Sequence, residues 1–229
     1  YRLHIITGEK KKVLENPGFF GFITDDNYQV RFAMQFTPDG GSEILQPSEK
    51  GGWESFLKID YEDSLTTWPA GFDKNNEFLY LVDSRGRDTA ALKEIHIASK
   101  QTKILVEDPR ADIDEIVMHP TEKTILAAGF IYERKHWKTV DSASEETFSF
   151  LQQLIDGDFS VISQTLDNQK WIVSYTMDNG PVRYYLYDVG RKEAKFLFTS
   201  RPALENLPLA KMHPVIIPCL LYTSDAADE

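Results

Sequence analysis

Short apolar runs separated by polar turns recur along the chain, and one run is apolar at every position. The run from Phe78 to Val82 has the length of a strand and no polar face, so it predicts a strand that is covered on both sides. The segments from Thr89 to Ile97 and from Thr102 to Val106 predict two more strands, and lysines mix with apolar residues in the last one. This gradient is typical of a small antiparallel sheet whose first strands face a core and whose last strand faces water.

The same pattern recurs at a constant offset of 92 residues in both directions. Segment 92–106 aligns forwards with segment 184–198 and backwards with the first residues of the chain. Matched positions in the backward alignment are Leu3 with Ile95, His4 with His96, Ile5 with Ile97, and Lys11 with Lys103. Since one further sheet fits between successive copies, the repeating unit has about 46 residues, close to the roughly 40–45 residues of a four-stranded propeller blade.

The repeat predicts an all-β fold, a partial β-propeller of about four and a half four-stranded antiparallel blades. The predicted incomplete propeller covers residues 1–211. Its blades are expected at approximately 1–17, 18–60, 69–109, 113–157 and 158–200. An incomplete ring leaves sheet edges at Tyr1 and near Thr199 exposed, so the chain is expected to be prone to aggregation.

One short helix is predicted as an insertion in the fourth blade. Ser142-Ala143-Ser144-Glu145 has the spacing of a capping box, which favours a helix start. The apolar positions that follow at helical spacing, before Gly157, are Phe148, Leu151, Leu154 and Ile155.

Composition indicates a soluble globular protein, because 229 residues with 41% hydrophobic content can bury a sizeable core. The net charge of −11 argues against a nucleic-acid partner. The basic runs Lys10–Lys12 and Arg134–Lys138 are interpreted as protection of outer strands against edge pairing. The sequence has no run of eighteen apolar residues, so a membrane partner is not predicted. A cytoplasmic location is the default expectation. Because the chain starts at Tyr1 without a methionine, a lost N-terminal signal stays open.

The end of the chain is predicted to be non-native. The codons that would encode residues 219–229 resemble the transposon-end adapter of shotgun sequencing libraries, so this segment is interpreted as read-through. It contains the single cysteine, Cys219, which excludes an intrachain disulfide and a cysteine-based metal cluster. The native sequence is then expected to stop near Pro218, with residues 212–218 beginning a linker.

The motifs for chemistry are weak, and no catalytic, metal-binding or cofactor-binding residue is predicted. Gly40-Gly41-Ser42-Glu43 lacks the second glycine of a nucleophile elbow and is interpreted as a turn. No two histidines have the spacing of a zinc helix, so His4, His96, His119, His136 and His213 are interpreted as structural. Neither acidic cluster has the spacing of a calcium loop, and both are interpreted as solvated loop acids: Asp25-Asp26-Asn27, and Asp112 with Asp114 and Glu115.

Several stretches resemble the propeller of the prolyl oligopeptidase family, in particular its acylaminoacyl-peptidase and dipeptidyl-aminopeptidase-like branch. The similar stretches are residues 79–92, 171–175, 201–204 and 211–215. The resemblance implies a propeller that precedes an α/β-hydrolase domain with a Ser-Asp-His triad and that screens which peptides reach it. This sequence departs from that pattern, because it stops where the hydrolase domain would start and lacks the opening strands of the propeller.

The sequence therefore predicts a non-catalytic propeller fragment of a prolyl-oligopeptidase-like serine peptidase. Its expected partners are its own missing C-terminal α/β-hydrolase domain and the peptide substrates of the full-length protein, and no cofactor is expected. The alternative is a free-standing propeller that acts as a protein-interaction scaffold. A propeller enzyme with a site in its central channel is the weakest interpretation, because no carboxylate pair or metal cluster emerges.

The candidates for substrate contact are Glu145 and Glu146, at the start of the predicted helix. Paired glutamates on a propeller insertion resemble the way in which related dipeptidyl peptidases hold a free amino terminus, since two carboxylates complement one ammonium group. Acidic residues in a first helical turn also stabilise the helix dipole, which is the structural alternative.

Overall fold

The computed structural model describes residues 1–216, and within them seventeen strands form five antiparallel sheets. The first sheet contains β1 (Arg2–Leu3) and β2 (Lys10–Lys11). The second contains β3 (Gly21–Thr24), β4 (Val30–Phe36), β5 (Ser42–Pro47) and β6 (Trp53–Ile59). The third contains β7 (Trp68–Phe72), β8 (Phe78–Asp83), β9 (Ala91–His96) and β10 (Thr102–Val106).

The fourth sheet contains β11 (Ile113–Met118), β12 (Ile125–Tyr132) and β13 (Arg134–Thr139). Helix α1 (Glu145–Leu154) follows it. The fifth sheet contains β14 (Asp158–Gln164), β15 (Lys170–Thr176), β16 (Arg183–Asp188) and β17 (Glu193–Thr199). The predicted adapter segment with Cys219, and the end of the predicted linker at Pro218, lie outside the described residues.

In every sheet the strands lie side by side in the order of the sequence. Each sheet is therefore a meander, and one sheet follows another along the chain, as in the blades of a propeller. The predicted all-β partial propeller with one short helix is confirmed. Segment 211–215 forms no strand.

The outer hairpins repeat at the offset predicted from the sequence. Strand β16 starts and ends 92 residues after β9. In all three hairpins the turn is closed by a side chain at the equivalent position: Nδ1 of His4 accepts a hydrogen bond from the Thr7 amide (3.1 Å), Nδ1 of His96 from the Ser99 amide (3.2 Å), and Oδ1 of Asp188 from the Arg191 amide (3.0 Å). The repeat therefore encodes the turn as well as the strands, and it gives His4 and His96 a structural role.

The fourth sheet differs from its neighbours, because it has three strands and not four. Its third strand is the basic segment Arg134–Thr139, which lies at the sheet edge as predicted for an outer strand. Helix α1 then takes the place in the chain that a fourth strand occupies in the other large sheets. The helix contacts both β13 and β14, so it bridges the fourth and fifth sheets.

Alternating residues of β8 show how the sheets stack. Leu79 and Leu81 pack in a core that contains Phe32 and Ile44 from the second sheet. Tyr80 and Val82 point to the opposite face, into a core formed with Ile125 and Phe130 from the fourth sheet. Because successive side chains of a strand alternate between faces, each inner sheet is covered on both sides. This explains why the β8 run has no polar face.

A third core joins the fourth and fifth sheets and is the most aromatic of the three. Helix α1 contributes Phe148 and Leu151 to it, and both side chains are almost fully buried. The aromatic residues of the fifth sheet in this core are Phe159, Trp171, Tyr175, Tyr185 and Tyr187. Burial of each such side chain stabilises the fold by about 1.5–3 kcal/mol, so this core fixes the position of the inserted helix.

Candidate functional site

Helix α1 carries both predicted substrate-contact residues, and its body is anchored by buried contacts. Phe148 packs against Trp137 with ring centroids 5.2 Å apart. The hydroxyl of Tyr175 donates a 2.7 Å hydrogen bond to the carbonyl oxygen of Leu151. Burial raises the pKa of the Tyr175 hydroxyl, which therefore remains a donor at any physiological pH. The helix is thus a fixed platform for the residues at its start.

The start of the helix is capped differently from the prediction. Ser142–Ser144 forms a short 3-10 turn, and the Asp141 carboxylate accepts a 3.0 Å hydrogen bond from the Ala143 amide. Ser144 precedes α1 but makes no capping hydrogen bond with its side chain. The predicted capping box is therefore wrong, since the extra 3-10 turn moves the capping role to Asp141.

Glu145 and Glu146 lie side by side in the first turn of α1, and both are exposed. Glu146 forms an ion pair with Lys192, with Oε1 and Nζ 2.5 Å apart. Glu145 lines a shallow recess of about 260 Å³ together with Trp137 and Gln152. Adjacent helix positions do not face each other, so the two carboxylates reach one ammonium group only if their side chains turn towards it.

The acidic cluster of Asp112, Asp114 and Glu115 was expected to consist of solvated loop acids. Asp112 and Asp114 are exposed, but Glu115 is partly buried, and the prediction of a loop is wrong for Asp114 and Glu115. Both residues lie on β11, where they hold the buried side chain of Lys135, with its Nζ 2.8 Å from Asp114 and 2.6 Å from Glu115. The same Nζ donates to Ser160 of the fifth sheet at 3.0 Å. Burial alone would lower the pKa of Lys135, but the hydrogen bonds to the two carboxylates prevail and raise it.

Gly129 leaves room for this lysine to cross its own sheet. A Cβ atom at Gly129 would lie 3.3 Å from Cε of Lys135 and 3.4 Å from the ring of Trp137. Lys135 starts on β13 and reaches β11 over β12, so only a residue without a side chain fits between them comfortably. The basic segment was expected to protect an outer strand against edge pairing, because a basic strand gives no sign of a buried partner two strands away.

Asp108 is a second buried charge, at the junction of the third and fourth sheets, and its side chain is 2% exposed. Its carboxylate accepts hydrogen bonds from Lys138 at 2.9 Å and from Nε2 of His136 at 3.2 Å, both on β13. The bond from Lys138 and the Arg110 amide outweigh the effect of burial, so the pKa of Asp108 lies well below its usual range. His136 thereby has a structural partner.

Asp83 plays the equivalent part between the second and third sheets. It accepts hydrogen bonds from Nε and Nη2 of Arg85 at 2.8 and 3.0 Å, and from Lys93 at 2.9 Å. Arg85 also donates from Nη1 to the carbonyl oxygen of Lys58, 3.0 Å away on β6. Each of the three junctions between large sheets therefore contains one buried charge, and together these charges tie the stacked sheets to one another.

The serine in the glycine-rich turn has no catalytic setting. Gly40 and Gly41 form the loop between β4 and β5, and Ser42 begins β5. A Cβ atom at Gly41 would lie 2.4 Å from the carbonyl oxygen of Ile59. The glycine is therefore required by a close backbone approach, and the loop joins two strands, whereas a nucleophile elbow joins a strand to a helix.

Across residues 1–216, no group of three or more His, Cys, Asp or Glu side chains could hold a metal ion. In the same part of the chain, no helix is long and apolar enough to cross a membrane.

Two curated relatives match almost the whole chain. Dipeptidyl aminopeptidase BIII of Pseudoxanthomonas mexicana is 37% identical over 218 residues, which are 95% of this chain and 32% of that protein. The resemblance to dipeptidyl peptidases is confirmed. Dipeptidyl peptidase family member 6 of Caenorhabditis elegans is 32% identical over 224 residues, 92% of this chain and 30% of that protein. The chain thus spans about a third of the length of the curated relatives it matches.

The fold agrees with this relationship. Dipeptidyl peptidase 4 of Porphyromonas gingivalis superposes with a TM-score of 0.55 over 76% of this chain and 25% of that chain, at 10% identity. At that identity the likeness concerns the fold alone. No protein-family model matches the chain. The chain is therefore similar in sequence to about a third of these dipeptidyl peptidases, and its fold is similar to that of peptidase propellers.

Proposed function

We propose that this chain is the non-catalytic propeller part of a prolyl-oligopeptidase-like serine peptidase, and that it gates the access of peptides to an α/β-hydrolase domain. The observation that carries the proposal is the 37% identity to a dipeptidyl aminopeptidase over 95% of the chain, which accounts for only 32% of that protein. Two thirds of such a protein remain for further propeller strands and for the hydrolase domain.

The stacked sheets suit a gate better than a catalyst. Within residues 1–216, three of the buried charged residues are held in ion pairs: Asp83 within the third sheet, Lys135 within the fourth, and Asp108 with Lys138 at the junction of the third and fourth sheets. Because each of these side chains is already held in an ion pair, none is free to transfer a proton. The same contacts make the assembly of sheets rigid. A rigid wall that excludes large substrates is what a gate requires.

Glu145 and Glu146 are proposed to contact the free amino terminus of a peptide in the full-length protein. Their exposure on a fixed helix supports this role. The ion pair between Glu146 and Lys192 opposes it, because an incoming ammonium group would have to displace the lysine. The alternative is a structural role, in which the two acidic residues stabilise the helix N-terminus. Kinetics with substrates that have a free or a blocked amino terminus distinguish the two roles.

A covalent probe and a size series test the proposal. The chain treated with a fluorophosphonate should remain unlabelled, because no activated serine is proposed in it; labelling of a single serine would contradict the non-catalytic role. The full-length enzyme should cleave short peptides but not the same sequence placed in a folded protein. Equal cleavage of both would leave the protein-interaction scaffold as the better account of the propeller.

A further inference from the structure

Each of the four large sheets has a short turn between its first two strands, and these first-strand turns converge. They comprise residues 25–29 in the second sheet, 73–77 in the third, 119–124 in the fourth and 165–169 in the fifth. Nζ of Lys123 in the fourth sheet lies 3.0 Å from a carboxylate oxygen of Asp26 in the second. Because the third sheet lies between these two in the stack, the ion pair spans two junctions. The first strands therefore lie on the concave side of the stack, where a propeller has its central channel.

The first-strand turn of the fourth sheet, residues 119–124, contacts the turns of all three other large sheets, and we call it the hub turn. Nζ of Lys74 in the third sheet lies 2.8 and 2.9 Å from the two carboxylate oxygens of Glu122. The hydroxyl of Thr121 donates a 3.4 Å hydrogen bond to the carbonyl oxygen of Leu166 in the fifth sheet. With Lys123, three consecutive residues of the hub turn thus reach three different sheets across the channel side.

The backbone of the hub turn is fixed in the conformation that these contacts need. Each first-strand turn has one residue in the left-handed region, with φ of 59°, 59°, 57° and 57° at Tyr28, Asn76, Lys123 and Asn168. Asparagine adopts this conformation readily, whereas lysine does so at a cost in free energy. Nδ1 of His119 accepts hydrogen bonds from the amides of Thr121 and Glu122, at 3.3 and 3.0 Å. The turn therefore presents its two charged side chains in set directions.

We propose that these contacts form a latch across the channel, which the passage of a long peptide opens and which short peptides pass without opening. This inference rests on the proposed gating function, and it names the residues that set the size limit. A latch has to open, and exposed ion pairs are weak enough to do so. Lys74 and Glu122 are both more than half exposed, and Asp26 is 71% exposed. The hub turn is thus the movable part of a wall that buried ion pairs hold rigid elsewhere.

Zero-length cross-linking of the isolated chain tests whether the turns are joined. A water-soluble carbodiimide condenses a lysine amine with a carboxylate that it touches, so mass spectrometry of the digested product should find Lys123 linked to Asp26. The link should be lost when the chain is unfolded in urea. Lys103 and Glu94, 3.5 Å apart within the third sheet, provide the positive control. A product between Lys103 and Glu94 without one between Lys123 and Asp26 would overturn the proposal.

The size selectivity of the full-length enzyme tests whether the joined turns act as a latch. Lys74→Met with Lys123→Met should raise kcat/KM for a long peptide by at least about threefold relative to a short peptide with the same cleaved residues, because two exposed ion pairs are lost. Lys103→Met with Lys195→Met is the matched control. It removes the same charge from the outer strands β10 and β17 and should leave the ratio unchanged. Circular dichroism should show that both double variants fold.

The wild-type enzyme distinguishes failure of the latch from failure of the gate. A wild type that favours short peptides, with a ratio that the substitution of Lys74 and Lys123 leaves unchanged, overturns the latch and leaves the gating function standing. A wild type that cleaves long and short peptides equally well contradicts the gating function and the latch with it.

Discussion

The Nζ atom of Lys135 lies 2.6 Å from Oε2 of Glu115, so the buried lysine joins the two edge strands of the fourth sheet, β13 and β11, across β12. The other carboxylate oxygen of Glu115 accepts a 3.1 Å hydrogen bond from the Val161 amide of the next sheet. One glutamate therefore connects three strands in two sheets. Asp108 likewise accepts hydrogen bonds from β13 of the fourth sheet, and Asp83 holds Arg85, which donates to the carbonyl oxygen of Lys58 in the second sheet.

Lys135→Met should lower the free energy of unfolding by about 2 kcal/mol or more, because it leaves two carboxylates in the protein without their cation. Urea unfolding measures the change. The matched control is Lys103→Met, since the Lys103 side chain is 73% exposed and lies 3.5 Å from Glu94. The control should change stability by no more than about 0.5 kcal/mol, and equal losses in both variants would show that the buried pair has no special role.

Gly41→Ala should destabilise the protein by about 2 kcal/mol or more, since the new Cβ would meet the backbone oxygen of Ile59 at 2.4 Å and neither strand can move freely. Gly180→Ala is the comparison, because the nearest atom there would be 3.9 Å away. Thermal unfolding of the two variants separates them. A Gly41→Ala protein with the same unfolding temperature as the wild type would refute the close approach of β5 and β6.

The free energy of unfolding should decrease as the pH is lowered, over a pH range set by the ionisation of Asp83. Burial opposes its ionisation, but hydrogen bonds from Arg85 and Lys93 prevail and lower its pKa from 3.8 to about 2. A carboxyl group with a lowered pKa stabilises the fold above its unfolded pKa and loses that contribution as pH falls through the folded value. The contribution of about 2 kcal/mol should therefore be present at pH 5 and disappear between pH 4 and 2.

Asp83→Asn provides the measurement for this pH dependence. The difference in unfolding free energy between wild type and variant, followed by urea unfolding from pH 7 down to pH 2, should be constant above pH 5 and shrink below pH 4. A difference that stays the same across the whole range would mean that Asp83 is not the group that titrates.

Replacement of both helix glutamates tests the proposed contact with an amino terminus. In the full-length enzyme, Glu145→Gln with Glu146→Gln should raise KM by about tenfold for peptides with a free amino terminus, because two charge-assisted contacts are lost. Peptides with a blocked amino terminus are the control, and their KM should not change. Equal effects on both substrate types would leave only the structural role of the two residues.

Much of the fold could be predicted from the sequence because its information is local and repeated. The run at Phe78–Val82 and the hairpin residues His4 and His96 are read directly from periodicity. The partners of Lys135 could not be predicted, since Glu115 is 20 residues away and Ser160 is 25 residues away in the opposite direction. Such contacts depend on how sheets stack and on the space above Gly129, neither of which leaves a pattern in the sequence.

The candidate site was less predictable than the fold for a related reason. The acidic residues Glu145 and Glu146 are equally compatible with a helix start and with a substrate contact. Only the structure shows that Asp141 provides the cap and that Lys192 forms an ion pair with Glu146. The sequence predicts where the helix lies, because Phe148 and Leu151 have to be buried. It does not predict what the exposed end of the helix meets.

The central claim, that this chain is a propeller portion of a serine peptidase, is tested most directly by the native gene. Genomic DNA sequenced across both ends, without library adapters, should show an open frame that continues beyond Pro218 for about 200–250 residues, the size of an α/β domain. That region should contain Gly-x-Ser-x-Gly between a strand and a helix, followed by an aspartate and then a histidine. A stop codon directly after Pro218 in native DNA would contradict the peptidase account.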